Sequence, residues 1–135
     1  MISQLTIDQD QHDEMLRHVV EQAPLEACGM LAGKNGRVEK VILVRNQAQS
    51  PTRFVMDPYE QLRAFEWIDS QGLDLIGIFH SHPTGPETVS ATDIKEAAYE
   101  VVHLIWSRLD DIWKLRGFWI RDGQAQEVAL WVEAR

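Results

Sequence analysis

A single cysteine, Cys28, in a chain of 135 residues excludes an internal disulfide and agrees with a reducing cytosol. Long apolar runs are missing as well: charged residues interrupt every apolar stretch well short of the roughly 20 residues that a membrane-spanning helix needs. The opening Met1-Ile2-Ser3-Gln4 has neither the basic start nor the apolar core of a signal peptide, so we expect a soluble cytoplasmic protein with no membrane partner. Positive charge is scarce. Thirteen Lys and Arg stand against 21 Asp and Glu, and the net charge of -8 argues against broad phosphate-backbone binding and so against a nucleic-acid partner. No internal repeat or low-complexity tract is visible. What remains, at 44% hydrophobic, suits one compact domain over residues 1–135 with a substantial core of its own.

The most informative stretch is His80-Ser81-His82-Pro83-Thr84-Gly85-Pro86-Glu87-Thr88-Val89-Ser90-Ala91-Thr92-Asp93. Histidines at i and i+2 on extended backbone project to one side, so both imidazoles can reach a single ion. Pro83 keeps His82 extended by disfavouring helical angles in the residue before it. The apolar run Leu73 to Phe79 reads as a buried strand that ends at these histidines. Ser90 and Asp93 form a Ser-x-x-Asp step, which by itself describes a helix cap at Ser90 with Asp93 at the third helical position. Helix capping does not call for a His-x-His ten residues upstream. A zinc site with three protein ligands does call for one more nitrogen or oxygen donor, and it leaves the fourth position to water. His80, His82 and Asp93 are therefore the candidate metal ligands.

The pattern of a distant Glu, then His-x-His-Pro, then Ser-x-x-Asp resembles the signature of the JAMM (MPN+) metalloprotease family, with Glu26 in Pro24-Leu25-Glu26-Ala27-Cys28-Gly29-Met30-Leu31-Ala32-Gly33 as the distant Glu. The resemblance runs from Pro24 to Asp93. It implies an α/β fold of the JAMM/MPN, cytidine deaminase-like kind, with a central mixed β-sheet flanked by helices. It also implies Zn2+ as cofactor, Glu26 as the base toward the zinc water and then the acid toward the departing amine, and Ser90 as donor to the oxyanion. The activity implied is hydrolysis of a peptide or isopeptide bond at the C-terminal tail of a ubiquitin-like or sulfur-carrier protein. Only 46 residues separate Gly33 from His80 and 42 follow Asp93, little room for the insertions of larger deubiquitinating relatives, which favours a small sulfur-carrier substrate. The alternative is a non-catalytic MPN-type binding or scaffold module, against which the filled signature counts.

Cys28 raises a competing thiolate mechanism. Its place in an apolar strand, between Ala27 and Gly29 and with no neighbouring cation, argues against a lowered pKa. By alternation it shares a face with Glu26. His12, His18 and His103 have no partner at ligand spacing, and surface or core roles suffice for them. Four of the five tryptophans, Trp106, Trp113, Trp119 and Trp131, lie in the last third of the chain. Packing explains them, and an exposed subset could hold a partner or a second subunit in a homodimer.

The expected element order is a short strand at Leu5 to Ile7, then a helix from the Asp8 cap to about Gln22, with an apolar stripe of Met15, Leu16, Val19 and Ala23 and Pro24 ending it. Strands at Leu25 to Ala32 and Val38 to Val44 follow, joined by a hairpin-like Gly33-Lys34-Asn35-Gly36. A helix opens at Asp57-Pro58 and runs to about Gln71 with Leu62, Phe65 and Ile68 facing inward. After the histidine strand come a helix from Ala91 to about Tyr99 and strands at Val101 to Trp106, Leu115 to Arg121 and Gln126 to Val132.

Overall fold

A computed structural model describes residues 3–134. Its elements are β1 (Gln4–Asp8), α1 (Gln9–Gln22), β2 (Cys28–Lys34), β3 (Arg37–Val44), α2 (Pro58–Ser70), β4 (Asp74–His82), α3 (Ala91–Glu96), β5 (Val102–Leu109), β6 (Ile112–Arg121) and β7 (Gln124–Glu133). The seven strands form one mixed sheet in the order β1-β3-β2-β4-β5-β6-β7, and β1 pairs with β7 so that the sheet closes on itself. Hairpins make β2–β3, β5–β6 and β6–β7 antiparallel, whereas β4 and β5, joined through α3, run parallel. The closure is narrow between β1 and β3, which pair at one position, Thr6 with Arg37, and strand periodicity alone does not reveal it.

Local chemistry sets most boundaries. The Asp8 side chain accepts from the Gln11 N–H while the Gln11 side chain bonds back to the Asp8 N–H, a complete capping box at the start of α1. Asn35 and Gly36 both adopt positive φ, 53° and 75°, which gives the tight turn between β2 and β3. Asp57 caps α2 by accepting from the Tyr59 and Glu60 amides.

Two cores lie on opposite faces of β2 and β4. Met15 and Val19 of α1 pack with Leu31 and Phe79 on one side, and Ala64 and Ile68 of α2 pack with Cys28, Met30 and Ile78 on the other. The alternation of β4 thus aims Ile78, His80 and His82 one way and Phe79 and Ser81 the other. Because β4 pairs with β2 as far as His80 and with β5 from Gly77 to His82, neither histidine can swing to the other face without breaking a ladder.

Three expectations need correction. Leu62 is 58% exposed, because α2 buries the stripe 61, 64, 65 and 68, the true i, i+3, i+4, i+7 face, and Leu62 lies off it. The third helix stops at Glu96, where Ala97 turns extended, and Tyr99 packs against Phe65 instead. Strand β2 starts at Cys28 and not at Leu25, so Glu26 lies in an irregular lead-in whose amides bond elsewhere: Leu25 N–H to the Gln22 carbonyl and Glu26 N–H to the Ser50 carbonyl. Among the tryptophans, Trp106 is buried and Trp131 is 58% exposed.

Gly29 lies where any Cβ would strike the Phe79 ring and the Ile42 carbonyl. We expect Gly29→Ala to lower unfolding free energy by about 1–3 kcal/mol, the usual cost of overpacking. Leu62→Ala should stay within about 0.5 kcal/mol of wild type, as surface changes do. Urea denaturation of the two variants checks both values.

Candidate metal centre

His80 and His82 are the last residues of β4 to face the α2 side, at the carboxyl end of a strand that crosses over to a parallel neighbour. Ligand sites gather at such ends in α/β sheets. The His80 Nε2 lies 3.1 Å from the His82 Nε2, 3.2 Å separates it from Asp93 Oδ1, and the His82 Nε2 is 3.1 Å from Asp93 Oδ2. All three side chains are buried. The loop after β4 orients one ring directly, since His82 Nδ1 lies 2.8 Å from the Pro86 carbonyl and donates to it. In the neutral ring that bond leaves the Nε2 lone pair of His82 facing the other two groups, and in the protonated ring Nε2 donates to Asp93 instead.

Asp93 reaches the histidines through the capping box of α3. The Ser90 hydroxyl oxygen accepts from the Asp93 N–H at 3.0 Å, and the Asp93 Oδ2 accepts from the Ser90 N–H at 2.8 Å. Capping and site-building are therefore one structure: the bond that starts the helix also aims the carboxylate. Because the Ser90 oxygen is used as acceptor, its O–H remains available as a donor.

Glu26 completes the cluster. Its carboxylate and the ring nitrogens of His80 and His82 lie within 4.8 Å of one another, and its Oε1 has no hydrogen-bond partner among the described residues. Two residues that sequence patterns do not single out hold it there. Ala27 N–H donates to the Ser81 Oγ at 2.8 Å and Ser81 N–H returns a bond to the Ala27 carbonyl, which ties the lead-in to the histidine strand. The buried Asn46 amide donates to the carbonyls of Glu26 and Arg53 and accepts from the Ala48 and Val55 amides, so all of its capacity is used. The middle residue of His-Ser-His was thus readable only as a spacer, although it is the pin between Glu26 and the ligands.

The electrostatics of the four groups differ in direction. Burial pushes the Glu26 carboxyl up to about 8, helped by Asp93 and opposed by His82. Burial also works to raise Asp93, but hydrogen bonds from His80 and His82 outweigh it and hold that carboxyl far below its ordinary value. Burial drives His80 down. His82 is raised, since Asp93, the Pro86 carbonyl and Glu26 overcome its burial. Lone pairs of two imidazoles and a carboxylate converging on one point are a donor set for a cation. Tetrahedral zinc with bonds of 2.0–2.2 Å separates neighbouring donors by about 3.3–3.6 Å, a small widening of the 3.1–3.2 Å observed, so the residues fit a metal ion.

Cys28 takes no part. Its Sγ donates to the Val44 carbonyl at 3.4 Å within the core beside α2, and burial, aided by Glu26, pushes the thiol up to about 12. His12 packs edge-on to Trp106, and His18 bonds to the Cys28 carbonyl and meets Phe79 edge-on. His103 does not fit a plain core role: it lines the same cleft as His80 and Asp93, a cavity of about 270 Å³.

Residues 8–122 match the family described as prokaryotic homologs of the JAB domain. The chain belongs to this family. It is 40% identical over 119 residues to a "Probable TtuB-protein conjugate cleaving protease" from Thermus thermophilus, which covers 87% of this chain and 76% of that protein. It is 34% identical over 127 residues to the "CysO-cysteine peptidase" of Mycobacterium tuberculosis, 91% of this chain and 87% of that one. The solution structure of a Desulfitobacterium hafniense protein superimposes with a TM-score of 0.87 at 34% identity, covering 97% of this chain and 94% of its own. The JAB family and the donor set thus agree on a metal ion. Among the described residues, no helix is long and apolar enough to cross a membrane.

Two outcomes are expected of the JAB-domain site. A carboxyl with a raised folded-state pKa holds its proton more tightly folded than unfolded, so Glu26 costs the metal-free protein stability as pH rises from about 4.5 to about 8. The loss is roughly 1.4 kcal/mol for each pH unit crossed inside that window. The melting temperature of metal-free Glu26→Gln should therefore gain on wild type across the window and hold its lead above it. A lead that stays constant from about pH 4 to about pH 9 contradicts the burial effect. Cys28→Ala, read by a peptidase assay, should keep metal content and turnover.

Proposed function

We propose that this protein is a zinc metallopeptidase that hydrolyses a peptide or isopeptide bond at the C-terminal tail of a ubiquitin-like or sulfur-carrier protein. His80, His82 and Asp93 hold the ion. The observation that carries this reading is the convergence of these side chains: the two Nε2 atoms lie 3.1 Å apart, and the Asp93 oxygens reach one ring each, Oδ1 at 3.2 Å from His80 and Oδ2 at 3.1 Å from His82, with a second buried carboxyl, Glu26, beside them and unpartnered at Oε1 among the described residues. The relatives named for cleaving TtuB-protein conjugates and as a CysO-cysteine peptidase support both the reaction class and the kind of substrate.

Bound there, zinc would supply Lewis acidity that polarises the scissile carbonyl and acidifies the attacking water. Glu26 takes the proton of that water and delivers it to the departing amine. A carboxyl pushed up to about 8 by burial keeps a proton near neutrality more readily than an ordinary Glu, which suits it to hold the proton between the two transfers. The free O–H of Ser90 donates to the oxygen that becomes negative as the carbonyl is attacked, while its oxygen keeps Asp93 in place. Burial of Glu26, His80 and His82 limits the water that would compete for these bonds. An extended tail ending in two glycines would approach between the ligands and the loop 84–89, since glycine brings the scissile amide close without a side chain in the way.

The test is mass spectrometry of a sulfur-carrier protein bearing a C-terminal cysteine or a short extension, after incubation with zinc-loaded protein. The expected product ends after the two glycines. Glu26→Gln should retain zinc and lose cleavage, and Ser90→Ala should slow it by about a hundredfold or more. Cleavage of unrelated short peptides with every tailed ubiquitin-like protein left intact would overturn the substrate assignment, and near wild-type turnover by Glu26→Gln would remove Glu26 from the reaction.

A further inference from the structure

His103 stands on β5 opposite Ile78 of β4, and His80 is two residues further along β4. Alternation puts both rings on the α2 face of the sheet, and both line the cleft of about 270 Å³ beside the ligands. Each ring has one nitrogen engaged and one without a partner. The His80 Nε2 faces Asp93 and His82, whereas its Nδ1 is buried and unpartnered among the described residues. His103 bonds to the Tyr99 carbonyl, and its Nε2 is the buried atom without a partner.

The two unpartnered atoms are complementary. A histidine that offers the Nε2 lone pair to a metal carries its ring proton on Nδ1 and is a donor there. A histidine whose N–H bonds to a carbonyl offers a lone pair at its other nitrogen and is an acceptor. Phe54 stacks on His80 with centroids 4.5 Å apart and planes at 23°, which fixes the plane of the ring but not which nitrogen bears the proton. In the metal-free chain Asp93 beside Nε2 favours a proton there, so an acceptor at Nδ1 is what favours the tautomer that leaves Nε2 free, and metal-bound histidines are held in this way by an acceptor behind them.

We infer that His103 is a positioning residue for the metal centre: its Nε2 accepts the Nδ1–H of His80 through one water held in the cleft, which sets the tautomer and orientation of that ligand. Both nitrogens are almost wholly enclosed, so the water would sit at the inner wall of the cleft, shut off from bulk solvent, where two polar partners are enough to hold it. The inference rests on the reading of His80 as a metal ligand. It explains why an otherwise apolar wall of Phe54, Met56 and Ile78 contains a histidine at all.

The experiment measures zinc affinity by chelator competition, together with nitrogen NMR of the zinc-loaded imidazoles, on the full chain as wild type, His103→Leu, His103→Gln and His80→Ala. His103→Leu should bind zinc about 10- to 100-fold more weakly with an unchanged circular dichroism spectrum. His103→Gln, whose amide oxygen can accept, should recover most of the loss. The Nδ1–H of His80 should be visible and slow to exchange in wild type and His103→Gln. Wild-type affinity in His103→Leu with an unchanged His80 signal overturns the inference. Should His103→Leu fail to fold, the wild-type spectrum decides alone: a slowly exchanging Nδ1–H supports the inference and its rapid exchange with solvent refutes it. Undiminished zinc binding by His80→Ala would instead overturn the metal-site reading, a result distinguishable from any given by the His103 variants.

Discussion

Two imidazoles and two carboxyls, all buried and facing one another, form a cluster that would disperse if the backbone allowed it. The backbone does not. Strand β4 is held by β2 as far as His80 and by β5 through His82, and its alternation sends His80 and His82 to one face with no freedom to turn away. Helix α3 begins with a capping box that commits the Asp93 carboxylate to the Ser90 amide and so aims it at the same point. The lead-in to β2 is pinned through Ser81 and Asn46, which brings Glu26 in from another segment. Each tie is an ordinary structural bond, and together they keep the donor atoms converged, bridged by ring protons in the metal-free chain and suited to a cation in their place.

The same burial acts on the two carboxyls with opposite results. Asp93 is depressed because it collects hydrogen bonds from both rings and from a backbone amide, whereas burial, with Asp93 adding to it, raises Glu26 to about 8, and its Oε1 has no hydrogen-bond partner among the described residues to offset that. Environments that push a pair of similar groups apart in this way suit them to different work, and this is the division that the proposed mechanism uses: Asp93 as a charged ligand, Glu26 as the group that carries the proton. A thiol with its pKa pushed up to about 12 has no comparable part to play, although it lies on the neighbouring strand directly beside His80.

Much of this was legible in the sequence wherever a short-range rule applied. The i, i+2 histidines needed only strand alternation, Asp93 only the capping step, and the first two helices began at their Asp caps because side-chain-to-amide bonding is local. Legibility failed where long-range contacts chose between local options. Leu62 fits an apolar stripe on paper, but packing selected the neighbouring face through Ala64 and Ile68. Leu25 to Ala27 are apolar enough for a strand, yet their amides go to Gln22, Ser50 and Ser81. Ser81, Asn46 and Phe54 serve the site by contacts to residues distant in sequence, or by stacking on a ring, and no spacing rule announces such contacts. His103 read as a core residue because its relation to His80 exists only once β4 and β5 lie side by side.

X-ray absorption at the zinc edge of the metal-loaded wild-type protein puts the metal centre to its sharpest test, because it identifies the donor types around the ion without depending on a substrate or a variant. Two imidazoles and the Asp93 carboxylate should appear as nitrogen and oxygen donors at about 2.0–2.2 Å, with the longer-range scattering of two imidazole rings and no sulfur. A sulfur donor near about 2.3 Å, or a spectrum without two imidazoles, would contradict that centre.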